Sequence, residues 1–324
     1  MKMSLRSKVV IYALLVMVAI YFLSPFVYML FSTFKTSAEA IAYPPSLFPK
    51  EWQWENYAKA WDAQPFGKYL LNSVIVTVLN TLGTVLSCSL VAYGFARYNF
   101  KGKNILFMIL LSTMMIPWDV TMIPQYMEFK AFGWINTLLP LIVPSFFGSA
   151  YYIFLMRQFL LGVPKEYEEA ARIDGCNDLQ IWWKVYMPIM RPCLILVGVL
   201  NMITVWNDYL GPLIFLQDRS KYTLALGLAS FKGVHQTQII PMLCITVVMI
   251  IPPVVAFLSG QKYIRFHQVI PLAGQGWLSP IARSLLWSPE LFPGRMMPPR
   301  TKCFGPSVSA RAKCAQTAPR SMTP

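Results

Sequence analysis

"EYEEAARIDGCNDLQIWWKVYMPIMRP", residues 166–192, is a charged, helix-forming stretch between long apolar runs. Its local chemistry divides it into a helix, a turn and a second helix. Pro164 suits the first helical position, where its missing N–H is not needed. Glu166, Glu168 and Glu169 then fall in the early turns, where the macrodipole favours anions. Glu168 and Arg172 form an i,i+4 pair in the favourable order, and Gly175 after Asp174 stands where a left-handed residue closes a helix. Asn177 and Gln180 make a variant of the capping box. They open a second helix, "LQIWWKVYM", that Pro188 ends or kinks.

The faces of these helices carry the functional expectation. Tyr167, Ala170, Ala171 and Asp174 recur at helical spacing on one stripe, and the two adjacent alanines let another surface approach the backbone closely. The stripe reads as a docking face; the plainer alternative is a solvated loop that happens to be helical. Leu179, Trp182, Trp183 and Tyr186 make the second helix too apolar for a free loop. It is expected to lie against the ends of neighbouring membrane helices.

Outward from the cassette, the chain has the composition of a membrane protein. Of 324 residues, 56% are hydrophobic and 13% charged, against roughly 45–50% and about 25% in soluble domains. Six runs approach the roughly 20 apolar residues that a span requires. They cover 9–32, 69–96, 104–118 with an extension past Asp119 toward Tyr126, 131–156, 192–207 and 233–260. The fold class expected is an all-α polytopic membrane protein with six transmembrane helices and a cytoplasmic helix between the fourth and fifth. Residues 1–260 form the transmembrane domain, and 261–324 form a basic, Pro-rich tail expected to be disordered.

Lys and Arg concentrate before the first run, between the second and third, and between the fourth and fifth, which by the positive-inside rule places those segments and both termini in the cytoplasm. The first run follows three basic residues and could be a secretory signal. Its length and the lack of a small-x-small cleavage site favour a retained helix. Pro44, Pro45, Pro49, Trp52, Trp54 and Trp61 follow it and fit a membrane-interface belt.

The formal charge of +14 is uneven, with +8 on residues 261–324 and +6 on the rest. The body is only mildly basic, which removes the main argument for nucleic-acid binding. Six Cys show no metal-ligand spacing and read as free thiols. His235 and His267 have no helical partner, no Ser or Asp sits in a nucleophile arrangement, and no G-x-x-x-x-G-K-[ST] loop is present. No cofactor or metal is implied, and an enzyme reading is disfavoured.

"EEAARIDG", nine residues, then "VYMP" resembles the cytoplasmic EAA signature of binding-protein-dependent ABC importer permeases. Glu169, Ala170, Ala171, Gly175 and Pro188 match it position for position, while Val185 and Met187 replace Ile and Leu. "TVWNDYLGPLIFLQDRSKYTLALGLASFKG", residues 204–233, and "FKTSAEAIAYPPSLFP", residues 34–49, are similar to carbohydrate-uptake permeases of the maltose-permease type. The likeness covers about residues 10–263.

The resemblance implies that Tyr167, Glu169, Ala170, Ala171, Asp174 and Gly175 form the interface with a separate ATPase. It implies as partners two cytoplasmic ATPase subunits, a second homologous permease, an extracytoplasmic solute-binding protein and membrane lipid. The substrate implied is a mono- or oligosaccharide, with a non-sugar solute such as a polyol or glycerol phosphate as the alternative. An ion-coupled secondary transporter is the rival from another class, but such carriers place ionisable groups within their spans, and these runs are almost free of charge. Asp119 and Asp208 read as interfacial polar residues or as part of the substrate path. Asn201 and Asn207 either hydrogen-bond between helices or, with Asp208, touch substrate.

Overall fold

The computed structural model describes residues 5–232 and 238–267. His235, Cys303, Cys314 and the tail from residue 268 lie outside them. Ten helices organise the chain here: α1 (Leu5–Ser32), α2 (Phe66–Arg97), α3 (Lys103–Ser112), α4 (Trp118–Ala131), α5 (Ala150–Leu161), α6 (Glu166–Ile173), α7 (Asp178–Ile181), α8 (Arg191–Trp206), α9 (Leu210–Phe215) and α10 (Ile239–His267). Further short helices, among them Asn56–Asp62 and Leu224–Ala229, connect them.

Among the described residues, four stretches are long enough and apolar enough to cross a membrane: Ser7–Ser32, Phe66–Arg97, Leu139–Leu161 and Ile239–Gln261. Two further ones are bent pairs, Lys103–Met115 with Trp118–Ala131 at 98° and Asp178–Ile189 with Arg191–Trp206 at 79°. The six-span class therefore holds with each bent pair taken as one span, and the boundaries move in four places.

The third expected run breaks at Ile116, which is extended (ψ 115°) because it precedes Pro117; the residue before proline is driven out of the α region. The fourth begins at Leu139 instead of residue 131, since Gly133 (φ 69°) and Asn136 (φ 61°) take left-handed turns. It is interrupted again at Gly148 (φ 86°). The fifth is separated from the cassette by a bend between Pro188 and Pro192, after a π-helical turn over Trp182–Tyr186. The sixth starts at Ile239 and continues through Ile264 to His267, past the expected end at residue 260.

Helix α2 is the central element and packs against α5 and α8, while α8 also packs against α10. Its buried face carries Ser73, Thr77, Thr84, Cys88, Ser89 and Ala92, small side chains that let helices approach where lipid supplies no hydrophobic drive between them. Asn201, buried at 6% exposure on α8, donates to Asn80 Oδ1 (3.0 Å) and Thr81 Oγ1 (3.2 Å) on α2. Asn80 in turn donates to the Leu141 carbonyl at 2.7 Å, so one amide pair joins three segments.

Helix α1 touches α10, but none of its most apolar window is buried against the other described residues. Pro25 in α1 and Pro252 and Pro253 in α10 sit inside helices, a use of proline that membrane helices tolerate. Cys88, Cys193 and Cys244 are free and buried.

Candidate functional site

At the cassette end, α6 is closed by a complete Schellman motif. The Cys176 N–H donates to the Ala171 carbonyl and the Gly175 N–H to the Arg172 carbonyl, both at 3.0 Å, with Gly175 at φ 79°. These bonds satisfy carbonyls that a helix end leaves open. The capping box also forms: Asn177 Oδ1 accepts from the Gln180 N–H (2.9 Å), and Gln180 Oε1 accepts from the Asn177 N–H (3.0 Å). At the other end of α6 the N-cap is Lys165, so Pro164 stands just before the cap, two residues ahead of the first helical position at Glu166, and not at that position as expected.

Arg172 joins the two halves of the cassette. It pairs with Glu168 at 2.9 Å and with Asp178 at 2.7 Å. Hydrogen bonding to Glu168, with the nearby charge of Asp178, pushes its pKa still higher than usual. Glu168 Oε2 also accepts from the Tyr186 hydroxyl at 3.2 Å. Tyr186 is fully buried, and Arg97 at the end of α2 lies over its ring at 4.8 Å. Arg97 donates to the carbonyls of Leu160 and Val163, both at 2.8 Å. The cassette is therefore tied to α2 and α5 by directional bonds as well as by packing.

The structure divides the predicted stripe. Ala171 is 7% exposed and belongs, with Cys176, Ile181 and Tyr186, to the core cluster of this end. It does not face outward, because Glu168 and Ala171 share the side of α6 turned toward the bundle. Tyr167, Glu169, Ala170, Asp174 and Gly175 are exposed. Ile173 is 86% exposed, and the sequence reading missed it. The signal was present: with Glu166 and Ala170 it lies opposite the Glu168–Ala171 side. In the second helix Ile181 and Tyr186 are buried, whereas Leu179 and Trp183 are 65% and 56% exposed, so only half of its expected apolar face meets the bundle.

At the opposite end, α2, α4, α9 and residues 139–147 surround a cavity of about 820 Å³. Asn80, Gln125, Glu128 and Asp208 line it beside Trp118 and Trp134. Asp208 accepts from the Gly211 N–H at 3.1 Å. Burial pushes its carboxyl above the usual range, and the backbone bonds from Gly211 and Leu210 oppose that rise. Gly211 leaves room for this carboxylate, since a Cβ there would meet Asp208 Oδ2 at 2.5 Å and Leu141 at 3.3 Å and displace the Asp208 side chain.

Of the four residues weighed for a substrate path, Asp119, Asn201, Asn207 and Asp208, only Asp208 lines this cavity. Asn201 is spent on the α2–α8 contact, and Asn207 is exposed and donates to Ile203 of its own helix at 2.8 Å. The alternative of a helix contact thus holds at Asn201. Asn136 was not foreseen at all. It ties this end together by accepting from the N–H groups of Gln217 (3.3 Å) and Asp218 (3.0 Å) and, through its carbonyl, from Lys221 (2.7 Å).

Known proteins place this architecture. The chain is 30% identical over 262 residues to the diacetylchitobiose uptake system permease protein NgcG of Streptomyces coelicolor, covering 80% of this chain and 86% of that protein. It is 30% identical over 250 residues to the arabinooligosaccharides transport system permease protein AraQ of Bacillus subtilis, covering 76% and 89%. A crystal structure of a bacterial ABC transporter involved in the import of the acidic polysaccharide alginate contains a chain of the same fold, with a TM-score of 0.71, 24% identity and coverage of 81% of this chain and 99% of that one. Residues 86–265, which include the cassette and the bonds that anchor it, match the family described as binding-protein-dependent transport system inner membrane component, and the chain belongs to that family.

Proposed function

We propose that this chain is the pathway subunit of an ATP-driven importer of a mono- or oligosaccharide, and that α6 receives the force of ATP hydrolysis from a separate ATPase. One observation carries the reading. Helix α6 is bound to the bundle by one face, through Glu168, Ala171 and the Gly175 closure, and offers the other face, with Tyr167, Ala170, Ile173 and Asp174, to a partner. A helix held in this way moves with α2, α5 and α8 when pushed. A solvated loop would not need the bond from Tyr186 to Glu168 or the anchoring of residues 160–163 by Arg97.

Two ATPase subunits, a second homologous permease and an extracytoplasmic solute-binding protein complete the assembly. Helix α1, with no part of its apolar window buried within the chain, leaves surface for lipid and for the second permease. The cassette and both termini lie in the cytoplasm, following the Lys and Arg bias, and the cavity at the other end faces the binding protein. Its carboxylates, amides and indoles suit a neutral, hydroxyl-rich ligand, because hydroxyls pair with the polar groups and sugar C–H faces lie on aromatic rings. The uptake systems named for NgcG and AraQ handle oligosaccharides, in keeping with this assignment. Residues 1–260 form the functional domain, and the tail adds nothing to transport.

The test is topological and energetic. In a background without native Cys, single cysteines at Lys50 and Asn177 should label from outside and inside respectively. Uptake by the full assembly should require ATP and resist a protonophore. Inverted labelling would overturn the orientation, and uptake that survives ATP depletion but collapses with the protonophore would make the protein an ion-coupled carrier.

A further inference from the structure

We infer that the cassette end carries a pocket for the phosphate of an anionic phospholipid, with Lys103 and Arg157 as its cationic ligands. A concave space of about 550 Å³ lies between the start of α3 and the side of α5, lined by Asn99, Phe100, Lys103, Asn104, Ile105 and Arg157. Each cation is held by the chain through one donor. Lys103 donates to the Tyr98 carbonyl at 2.8 Å. Arg157 lies over the Phe107 ring at 4.1 Å and donates from Nε to the Phe95 carbonyl at 3.4 Å. An ammonium has three donors and a guanidinium five, so most of their donors stay open to a ligand.

These cations are gathered without a counter-charge. Among the described residues neither makes an ion pair, and Lys103 also feels the charges of Arg157 and Lys165. Like charges held together in a half-buried recess repel, and an anion entering it relieves that repulsion. The Asn104 side chain adds a neutral hydrogen-bonding group at the rim.

The wall of the pocket selects the source of the phosphate. Phe100 and Ile105 are 42% and 60% exposed, and Leu106, Met108 and Ile109 continue an exposed apolar surface along α3. A soluble phosphate has no use for that surface, whereas the acyl chains of a lipid lie along it while the head group enters the recess. Basic recesses between helices on the cytoplasmic side suit acidic head groups. The leaflet assigned rests on the proposed orientation; the binding itself does not.

The test is retention of lipid by the purified, fully assembled transporter, followed by native mass spectrometry during titration with phosphatidylglycerol, phosphatidylcholine or inorganic phosphate. Phosphatidylglycerol should be retained in preference to phosphatidylcholine. Lys103→Gln and Arg157→Gln should each weaken it about fivefold, and Lys103→Arg should restore it. Lys50→Gln, at the other end of the bundle, should leave it unchanged.

Equal retention by wild type and the double variant would overturn the site in favour of non-specific annular lipid. Inorganic phosphate that binds alone and displaces phosphatidylglycerol would replace the lipid with a soluble anion. Should the double variant fail to assemble, Lys103→Gln alone decides, since an unchanged affinity there removes the central ligand. Because retention is read without transport, it can fail while the importer reading stands, and the reverse.

Discussion

At the cassette end, Glu168, Arg172, Asp178 and Tyr186 meet across one turn and two short helices, and nearly every bond follows from spacing in the chain. At the cavity end, Asn80, Glu128 and Asp208 come from segments far apart in sequence, and Asn136 reaches across to residues 217–221. The first region is determined by local rules of helix capping and charge pairing. The second exists only after the long helices have packed. Local determination suits a part that must keep its shape while it moves, whereas a cavity formed by packing changes shape whenever the helices shift. On the proposed function, alternation between two states of the bundle would remake the cavity and carry the cassette along intact.

Ala171→Glu should have the largest effect. It places a carboxylate beside Glu168 in the core where Ala171 is 7% exposed, and an unpaired buried charge costs upwards of about 3 kcal/mol. The cassette should detach from the bundle, seen as new protease cleavage within residues 164–190 together with loss of uptake. Normal protease resistance would mean that this end is not held by its inward face.

The next effect isolates the turn. A Cβ at Gly175 would meet nothing within 4 Å, so the cost of Gly175→Val is the left-handed backbone alone, roughly 1–2 kcal/mol. Membrane insertion should be normal while uptake falls sharply, and Gly175→Asn, which tolerates that conformation better, should lie between. Equal uptake by all three proteins would show that the Schellman closure has no part in transport.

How much of this was legible follows from the same contrast. Gly175, the Asn177–Gln180 box and the Glu168–Arg172 pair were read from the sequence because each depends on neighbours within four residues. The six apolar runs were legible because hydropathy is additive along the chain. The bend at Ile116–Pro117 was signalled by proline yet hidden within a continuous apolar run. The misplacement of Ala171 has another cause. A stripe defined by spacing has no inside or outside until something packs against it, and here Tyr186, seated under Arg97, pulls Glu168 and therefore Ala171 inward. Asn201 could have met either a helix or a ligand, and only the position of Asn80 on α2 decides between them.

Asn201→Leu should come third and act on the cavity end without touching the cassette. It removes donors to Asn80 and Thr81, but Asn80 keeps the Leu141 carbonyl and can still accept from Thr84 at 3.4 Å. The loss should be about 1 kcal/mol, read as a lower unfolding midpoint in detergent with unchanged recovery of the ATPase. A shift as large as that of Ala171→Glu would mean that the two ends are not separable.

Ile173→Lys should have the smallest effect on the fold and so separates holding from docking. Ile173 sits in the last turn of α6 with 86% of its surface exposed, so little of it packs against the other described residues. A cation near a helix C-terminus interacts favourably with the macrodipole, so the substitution should leave α6 as stable as before or slightly more so. Protease resistance and membrane insertion should match wild type. Recovery of the ATPase with the permease should fall, because an apolar side chain presented to the partner has been replaced by a hydrated charge, and Ile173→Leu should preserve it. If Ile173→Lys retains the ATPase and transports normally, the outward face of α6 is not the contact, and the force must enter through Leu179 and Trp183 on the exposed side of the second helix.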